Sequence, residues 1–280
     1  MIVPERFSYI EVYLTLRCSF SCPYCINGHT GVSRKRKELS AREWRMALNG
    51  IATHGIPITL GGGEPTMHKE FYGIVEGLRP DLRIDLLSNG SFDTDEFVRR
   101  IPPERFTQQD PEYKAIRLSF HPRISDQKNL VQQAALLTRQ KYPVGIFGLN
   151  HPNNLAYNVT MTEACRERGV FFFIRDFLGY YDDRLYGYYK YSSALNGNRK
   201  RCQCRIQELL IGPDGNVYRC HRDLYEGAGE IGNVLNMALE LTDDFRPCDN
   251  CGLCSPCDIK LKLGPDLTTS KCSVEIKLES

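Results

Sequence analysis

Apolar and polar residues alternate at the start of the chain, where Ile10, Val12, Leu14 and Leu16 interleave with Glu11, Tyr13 and Thr15. A period of two predicts a half-buried strand, and this one delivers the chain to Cys18. The period then lengthens. Ser40-Ala-Arg-Glu43 has the form of a capping box, and Trp44, Leu48, Ile51 and Ala52 fall near helical spacing until Gly55 stops the helix. Strand and helix patterns alternate from there: strand over 56–60, helix over 71–78, strand over 83–87, helix over 95–100, strand over 115–119 and helix over 126–140. In the last of these, Leu130, Ala134 and Leu137 share one face. Strand 144–149, helix 154–168 and an apolar strand of the fully buried kind over 170–174 complete the series.

Strands separated by helices form parallel sheets with right-handed crossovers. Six such units are too few to close the usual eight-stranded barrel. The expected fold is therefore α/β, an open, partial (β/α)6 barrel over residues 1–176. Residues 177–191 are conspicuously aromatic and too interrupted to predict a regular element, so 177–200 is expected to be a linker or lid. From Arg201 to Ser280 cysteines crowd the chain, and a small cysteine-rich domain is expected there. Within it, residues 209–220 form a hairpin pattern around Pro213-Asp-Gly215, ending on Cys220.

Net charge changes little in this picture. At +2 over 280 residues it suggests neither nucleic acid nor a membrane surface as a partner. The run Arg34-Lys-Arg-Lys37 reads as a solvated loop and is given no function. No apolar run approaches the roughly 18 residues of a membrane span, and the N-terminus lacks an apolar signal core, so a cytoplasmic protein is expected. Twelve cysteines in such a chain argue for metal rather than disulfides. Cys165, one helical turn after Met161, reads as core.

The densest chemistry follows the first strand. In Cys18-Ser-Phe-Ser-Cys22-Pro-Tyr-Cys25, three thiolates from one loop suit three irons of a four-iron cluster and leave the fourth iron open to a ligand. A zinc knuckle is the competing reading, but it needs a fourth ligand from elsewhere. The second strand ends on Gly61-Gly62-Gly63-Glu64-Pro65, where glycines let backbone approach a ligand closely. Ser88-Asn89-Gly90 ends the third strand and Ser119-Phe120-His121 the fourth. Chemistry in parallel α/β folds collects at these carboxyl ends. His121 and His151 lie at strand ends too.

This combination resembles the radical S-adenosylmethionine (radical SAM) superfamily, whose members share the partial barrel. The resemblance implies a [4Fe–4S] cluster on Cys18, Cys22 and Cys25, with SAM bound through its open iron. It also implies cofactor contacts from Gly62, Gly63, Glu64, Pro65, Ser88, Asn89 and Ser119, with Tyr24 near the adenine. Asn150 stands where the family often has a carboxylate. The C-terminal end is similar to the family's twitch or SPASM auxiliary-cluster extension: Cys204, then Gly215 five residues before Cys220, then paired cysteines. Cys204, Cys220, Cys254 and Cys257 are the first candidate ligand set. Cys202, Cys248, Cys251 and Cys272 are candidates for a second, so one or two auxiliary [4Fe–4S] clusters are implied. A structural zinc site is the alternative there.

The activity implied is reductive cleavage of SAM to a 5′-deoxyadenosyl radical that abstracts hydrogen from a peptide or a small molecule. An electron donor such as flavodoxin or ferredoxin would be the protein partner. The rival is a non-catalytic iron–sulfur electron carrier or zinc-binding module, which the cysteine content favours but the glycine motif and strand-end pattern disfavour.

Overall fold

The structure is a computed structural model, and residues 1–25, 36–106, 113–236, 238–263 and 270–278 are described. Of the basic run, Arg34 and Lys35 lie outside the described residues. Arg36 is structural: it donates to the Leu224 carbonyl at 2.6 Å and stacks over Tyr218.

Six parallel strands run β1 (Tyr9–Thr15), β2 (Ile58–Gly62), β3 (Ile84–Ser88), β4 (Ile116–Ser119), β5 (Val144–Leu149) and β6 (Phe172–Arg175), adjacent in that order. Between them lie α1 (Ala41–Asn49), α2 (Phe71–Glu76), α3 (Thr94–Arg100), α4 (Gln127–Arg139) and α5 (Leu155–Glu167). The capping box of α1 forms as the sequence predicts, with Ser40 and Glu43 exchanging both bonds. Alternation sorts each strand into two faces. Ile10, Val12, Leu14, Ile58, Leu60, Ile84, Leu86, Ile116 and Leu118 join Trp44, Leu48, Leu130 and Leu137 in one apolar core. The opposite face turns polar residues into the barrel. One of these is a buried ion pair: Arg117 Nη1 lies 3.1 Å from Asp85 Oδ2, and Arg117 stacks over Tyr113.

β6 departs from expectation. Its pattern predicts burial on both faces, yet Phe173 and Ile174 are exposed. The reason is position: β6 pairs only with β5 and is the edge at which the barrel opens.

At the other edge the sheet continues. β10 (Glu208–Ile211) pairs parallel to β1, followed by antiparallel β11 (Asn216–Tyr218) and β12 (Glu230–Asn233). The expected hairpin forms, but it extends the barrel sheet, and Leu209, Ile211, Val217 and Val234 enter the barrel core. A boundary at residue 201 therefore does not follow the sheet.

The aromatic stretch is also more regular than its sequence suggests. It forms a hairpin, β7 (Gly179–Tyr181) with β8 (Arg184–Tyr186), closed by Asp182 and Asp183, both at positive φ. This is the two-residue turn that matches strand twist. Beyond it, β9 (Lys200–Ile206) is flanked by β13 (Arg246–Cys251) and β16 (Val274–Leu278) in a separate three-stranded sheet, with β14 (Lys262–Leu263) and β15 (Ser270–Lys271) paired alongside. Among the described residues no helix is long and apolar enough to cross a membrane.

Candidate active site

A cavity of about 330 Å³ opens at the carboxyl ends of the barrel strands. Cys18, Cys22 and Cys25 line it, and so do Gly62, Gly63, Ser88, Asn89, Ser119 and Tyr24. Residues separated by a hundred positions in sequence thus meet at one site, where the strand-end argument places them.

Close backbone approach explains two of the glycines. A Cβ on Gly62 would fall 2.2 Å from the Thr15 carbonyl oxygen, and one on Gly63 would fall 2.2 Å from that of Arg17. Gly62 also has φ +128°, which side chains rarely adopt. The second strand is thereby held tightly against the start of the cysteine loop, with Gly63 N donating to Thr15 O and Glu64 N to Arg17 O.

Glu64 and Pro65 are placed differently from the other sequence-predicted residues. Both are buried and neither lines the cavity. Glu64 Oε1 accepts from Ser88 Oγ at 3.0 Å and from Thr66 Oγ1 at 2.6 Å, while Oε2 accepts from Asn89 N at 2.6 Å. Burial pushes its carboxyl pKa up, and these donors pull against that. Glu64 therefore fixes the end of β3, and Asn89 in turn reaches the cysteine loop, 3.1 Å from Ser19 Oγ and 3.7 Å from Cys18 Sγ.

Tyr24 sits between two imidazoles, hydrogen-bonded to His121 Nδ1 at 3.2 Å and packed 5.2 Å from the His151 ring. Burial pushes the Tyr24 phenol up to about 12 and the His121 imidazole down to about 4, so both are neutral near pH 7.

The fit of an iron–sulfur cluster rests on the thiols. Burial first, and then the charges of Cys25 and Cys18, push Cys22 up to about 12. A cationic cluster that bound all three as thiolates would relieve the repulsion that Cys22 feels from its two neighbours. Among the described residues no three His, Cys, Asp or Glu side chains gather tightly enough to hold a single metal ion. The thiols instead line the wall of a cavity with room beside them.

The cysteine-rich end is sorted by the fold. Cys202 and Cys204 project from β9; Cys248 stands opposite Cys202 on β13, and Cys251 ends that strand. These four, with Cys220 and Cys254, pack on one small core with Cys272. Burial raises Cys202 to about 12, followed by Cys248 and Cys251; burial likewise raises Cys204, followed by Cys248, Cys202 and Cys254. Cys220 caps α6 (His221–Glu226), its sulfur accepting from Asp223 N at 3.4 Å. Six thiols thus gather on one small core beside Cys272. Cys272 donates to the Asp258 carbonyl at 3.1 Å. Cys257, grouped by spacing with Cys254, lines the barrel cavity instead.

Sequence reasoning missed the floor of that cavity. Glu11 and Tyr13 line it from β1, joined by Tyr225, whose hydroxyl lies 3.1 Å from that of Tyr13. Behind them His221 bridges two carboxylates, Nδ1 at 2.8 Å from Asp258 Oδ1 and Nε2 at 3.6 Å from Glu11 Oε2. The signal was present: alternation turns Glu11 and Tyr13 away from Ile10 and Val12, and therefore inward. A second cavity, of about 630 Å³, adjoins the first, sharing Tyr24, Phe177, Leu178 and Tyr225, with the β7–β8 hairpin as one wall.

Residues 12–108 match the family profile "Radical SAM superfamily". The GTP 3′,8-cyclase of Pasteurella multocida (strain Pm70) is 36% identical over 91 residues, 31% of this chain and 27% of the cyclase. The chain thus matches about a quarter of that relative's length. Among solved structures, anSMEcpe with bound AdoMet superposes with a TM-score of 0.57 at 16% identity, over 82% of this chain and 78% of that one. Streptococcus suis SuiB bound to precursor peptide SuiA gives 0.57 at 12% identity, over 82% and 63%. At these identities the structural likeness is one of fold.

Proposed function

We propose that this chain is a radical SAM enzyme, one that cleaves SAM reductively and uses the radical to take hydrogen from a peptide substrate. The observation that carries the reading is the meeting of Cys18, Cys22, Cys25, Gly62, Gly63, Ser88, Asn89 and Ser119 on one cavity. A [4Fe–4S] cluster bound there supplies the electron that breaks the sulfonium and an open iron to hold SAM. The protein does the rest. Cys18, Cys22 and Cys25 hold the cluster; Ser88, Asn89 and Ser119 offer polar contacts to SAM; Glu64 keeps Ser88 and Asn89 in place; Tyr24 packs beside the adenine. Tyr225, Phe177 and Leu178 join the two cavities and keep water from the radical.

Room beyond the reacting group supports a peptide over a small molecule, since the second cavity continues from the first. The SuiB structure's precursor peptide is in keeping with this. The six-thiol set is proposed to hold one auxiliary cluster that exchanges an electron with the reaction, from ligands among Cys202, Cys204, Cys220, Cys248, Cys251 and Cys254.

Anaerobic reconstitution followed by SAM and dithionite tests the reading. The protein is expected to form 5′-deoxyadenosine, and replacing Cys18, Cys22 and Cys25 together by alanine should abolish that product along with about four irons. An iron-loaded wild type that leaves SAM intact is instead an electron carrier, and stoichiometric zinc marks a structural module.

A further inference from the structure

Spacing pairs Cys257 with Cys254, two residues apart by the same interval that separates Cys248 from Cys251. The fold separates them. Ser255 caps the short α7 (Pro256–Ile259), and the chain turns there. Cys254 packs with the six-thiol set, whereas Cys257 lines the barrel cavity that Cys18, Cys22 and Cys25 line. It is only partly buried, so a molecule in the cavity can reach it.

Its surroundings are those of a reaction chamber. Tyr13 and Tyr225, hydrogen-bonded to one another, stand on the same wall, and Glu11 completes it from β1. Burial raises the Tyr225 phenol, and the Cys257 charge is the next largest influence on it. Tyr13 and His221 feel the same sulfur. The cavity wall, shared with Tyr13, Tyr225 and the three N-terminal thiols, thus puts this sulfur within reach of a molecule bound there.

We propose that Cys257 is not an iron ligand but a catalytic thiol that returns a hydrogen atom to the substrate carbon radical. This rests on the radical chemistry proposed above. An S–H bond is weaker than an alkyl C–H bond, so transfer from sulfur to a carbon radical runs downhill. The S–H bond breaks, a C–H bond forms, and a thiyl radical remains on Cys257. One electron from the auxiliary iron–sulfur cluster, reloaded by a low-potential donor, and one proton from solvent restore the thiol. The substrate carbon ends at its original oxidation state carrying a solvent-derived hydrogen, the outcome of exchange or inversion at a C–H centre rather than of oxidation.

A substrate is not needed for the test. The 5′-deoxyadenosyl radical formed from SAM alone can take its hydrogen from the same thiol. Reconstituted protein in thiol-free D₂O buffer, given SAM and dithionite, is expected to yield 5′-deoxyadenosine carrying one solvent deuterium. Cys257→Ala and Cys257→Ser should lose that deuterium while holding as much iron per chain as the wild type, and Cys165→Ala, which removes a thiol of the apolar core outside the cavity, should keep it. Iron lost from both Cys257 variants makes the residue a ligand and overturns the proposal. Deuterium that persists in Cys257→Ala, or that vanishes in Cys165→Ala alone, assigns the donor elsewhere and also overturns it. If wild type makes no 5′-deoxyadenosine, the radical reading itself has failed, and iron content still decides whether Cys257 is a ligand.

Discussion

His221 shows how far a single residue can depart from its ordinary behaviour. Burial alone would lower its pKa, but the Asp258 carboxylate and then Glu11 outweigh burial and hold it at about 10. A folded value above the unfolded one of about 6.5 means that the imidazolium stabilises the fold fully below that pH. The contribution is lost as pH rises toward 10. Between pH 6.5 and 9 the loss is on the order of 3 kcal/mol. Thermal unfolding of the wild type should therefore fall across this window, and His221→Gln should flatten the dependence, because glutamine keeps a donor but cannot titrate. An equal slope in both proteins would remove the imidazolium from the account. Glu64 gives a second residue-level expectation. Glu64→Ala strips acceptors from Ser88, Asn89 and Thr66, at about 1–3 kcal/mol for each buried donor left unpaired. SAM affinity should fall with iron unchanged; unaltered affinity in equilibrium dialysis would separate the β3 end from SAM binding.

Elements were legible where a pattern had a local cause. β1, α1 and β5 follow from alternation, a capping box and a short apolar run, all of which act within a few residues. Burial of β6 was not legible, because Val170 to Ile174 reads as a buried strand whether or not a seventh strand covers it. The β7–β8 hairpin escaped for another reason: its turn is Asp-Asp, and aspartate only tolerates the left-handed region that glycine occupies at no cost. Asp183→Gly should accordingly tighten the hairpin and slow limited proteolysis near residues 179–186, whereas Asp182→Pro, whose ring fixes φ near −65°, should open it. Iron content serves as the control, since neither change touches a thiol. Cleavage rates indifferent to both substitutions would mean that the turn does not hold this wall of the second cavity.

At the scale of the whole molecule, the chain closes on itself in a way that no window of sequence reveals. The cysteine loop, the glycine motif and the strand-end polar residues were readable because each sits at the end of its own strand. The cavity floor was not, because Glu11 meets His221 and Tyr13 meets Tyr225 only once β10 has docked beside β1, some two hundred residues later. That docking makes the two ends interdependent. β10 covers an edge of β1 with parallel bonds from Tyr9↔Glu208 to Val12↔Ile211, and Leu209, Ile211, Val217 and Val234 fill the core beneath it. Removing everything after residue 200 would leave that edge unpaired and those core positions empty, an exposed strand of the kind that aggregates. The fragment 1–200 should therefore be insoluble or lack a cooperative unfolding transition, even though it keeps all three cysteines of the first cluster and the entire glycine motif. Residues 1–236, which retain β10 to β12 but lose β13 and β16, should recover a cooperative transition while losing the auxiliary thiol set. A soluble, cooperatively folded 1–200 would show that the six-stranded barrel stands without its C-terminal strands, and that their contribution lies in the cavity floor alone.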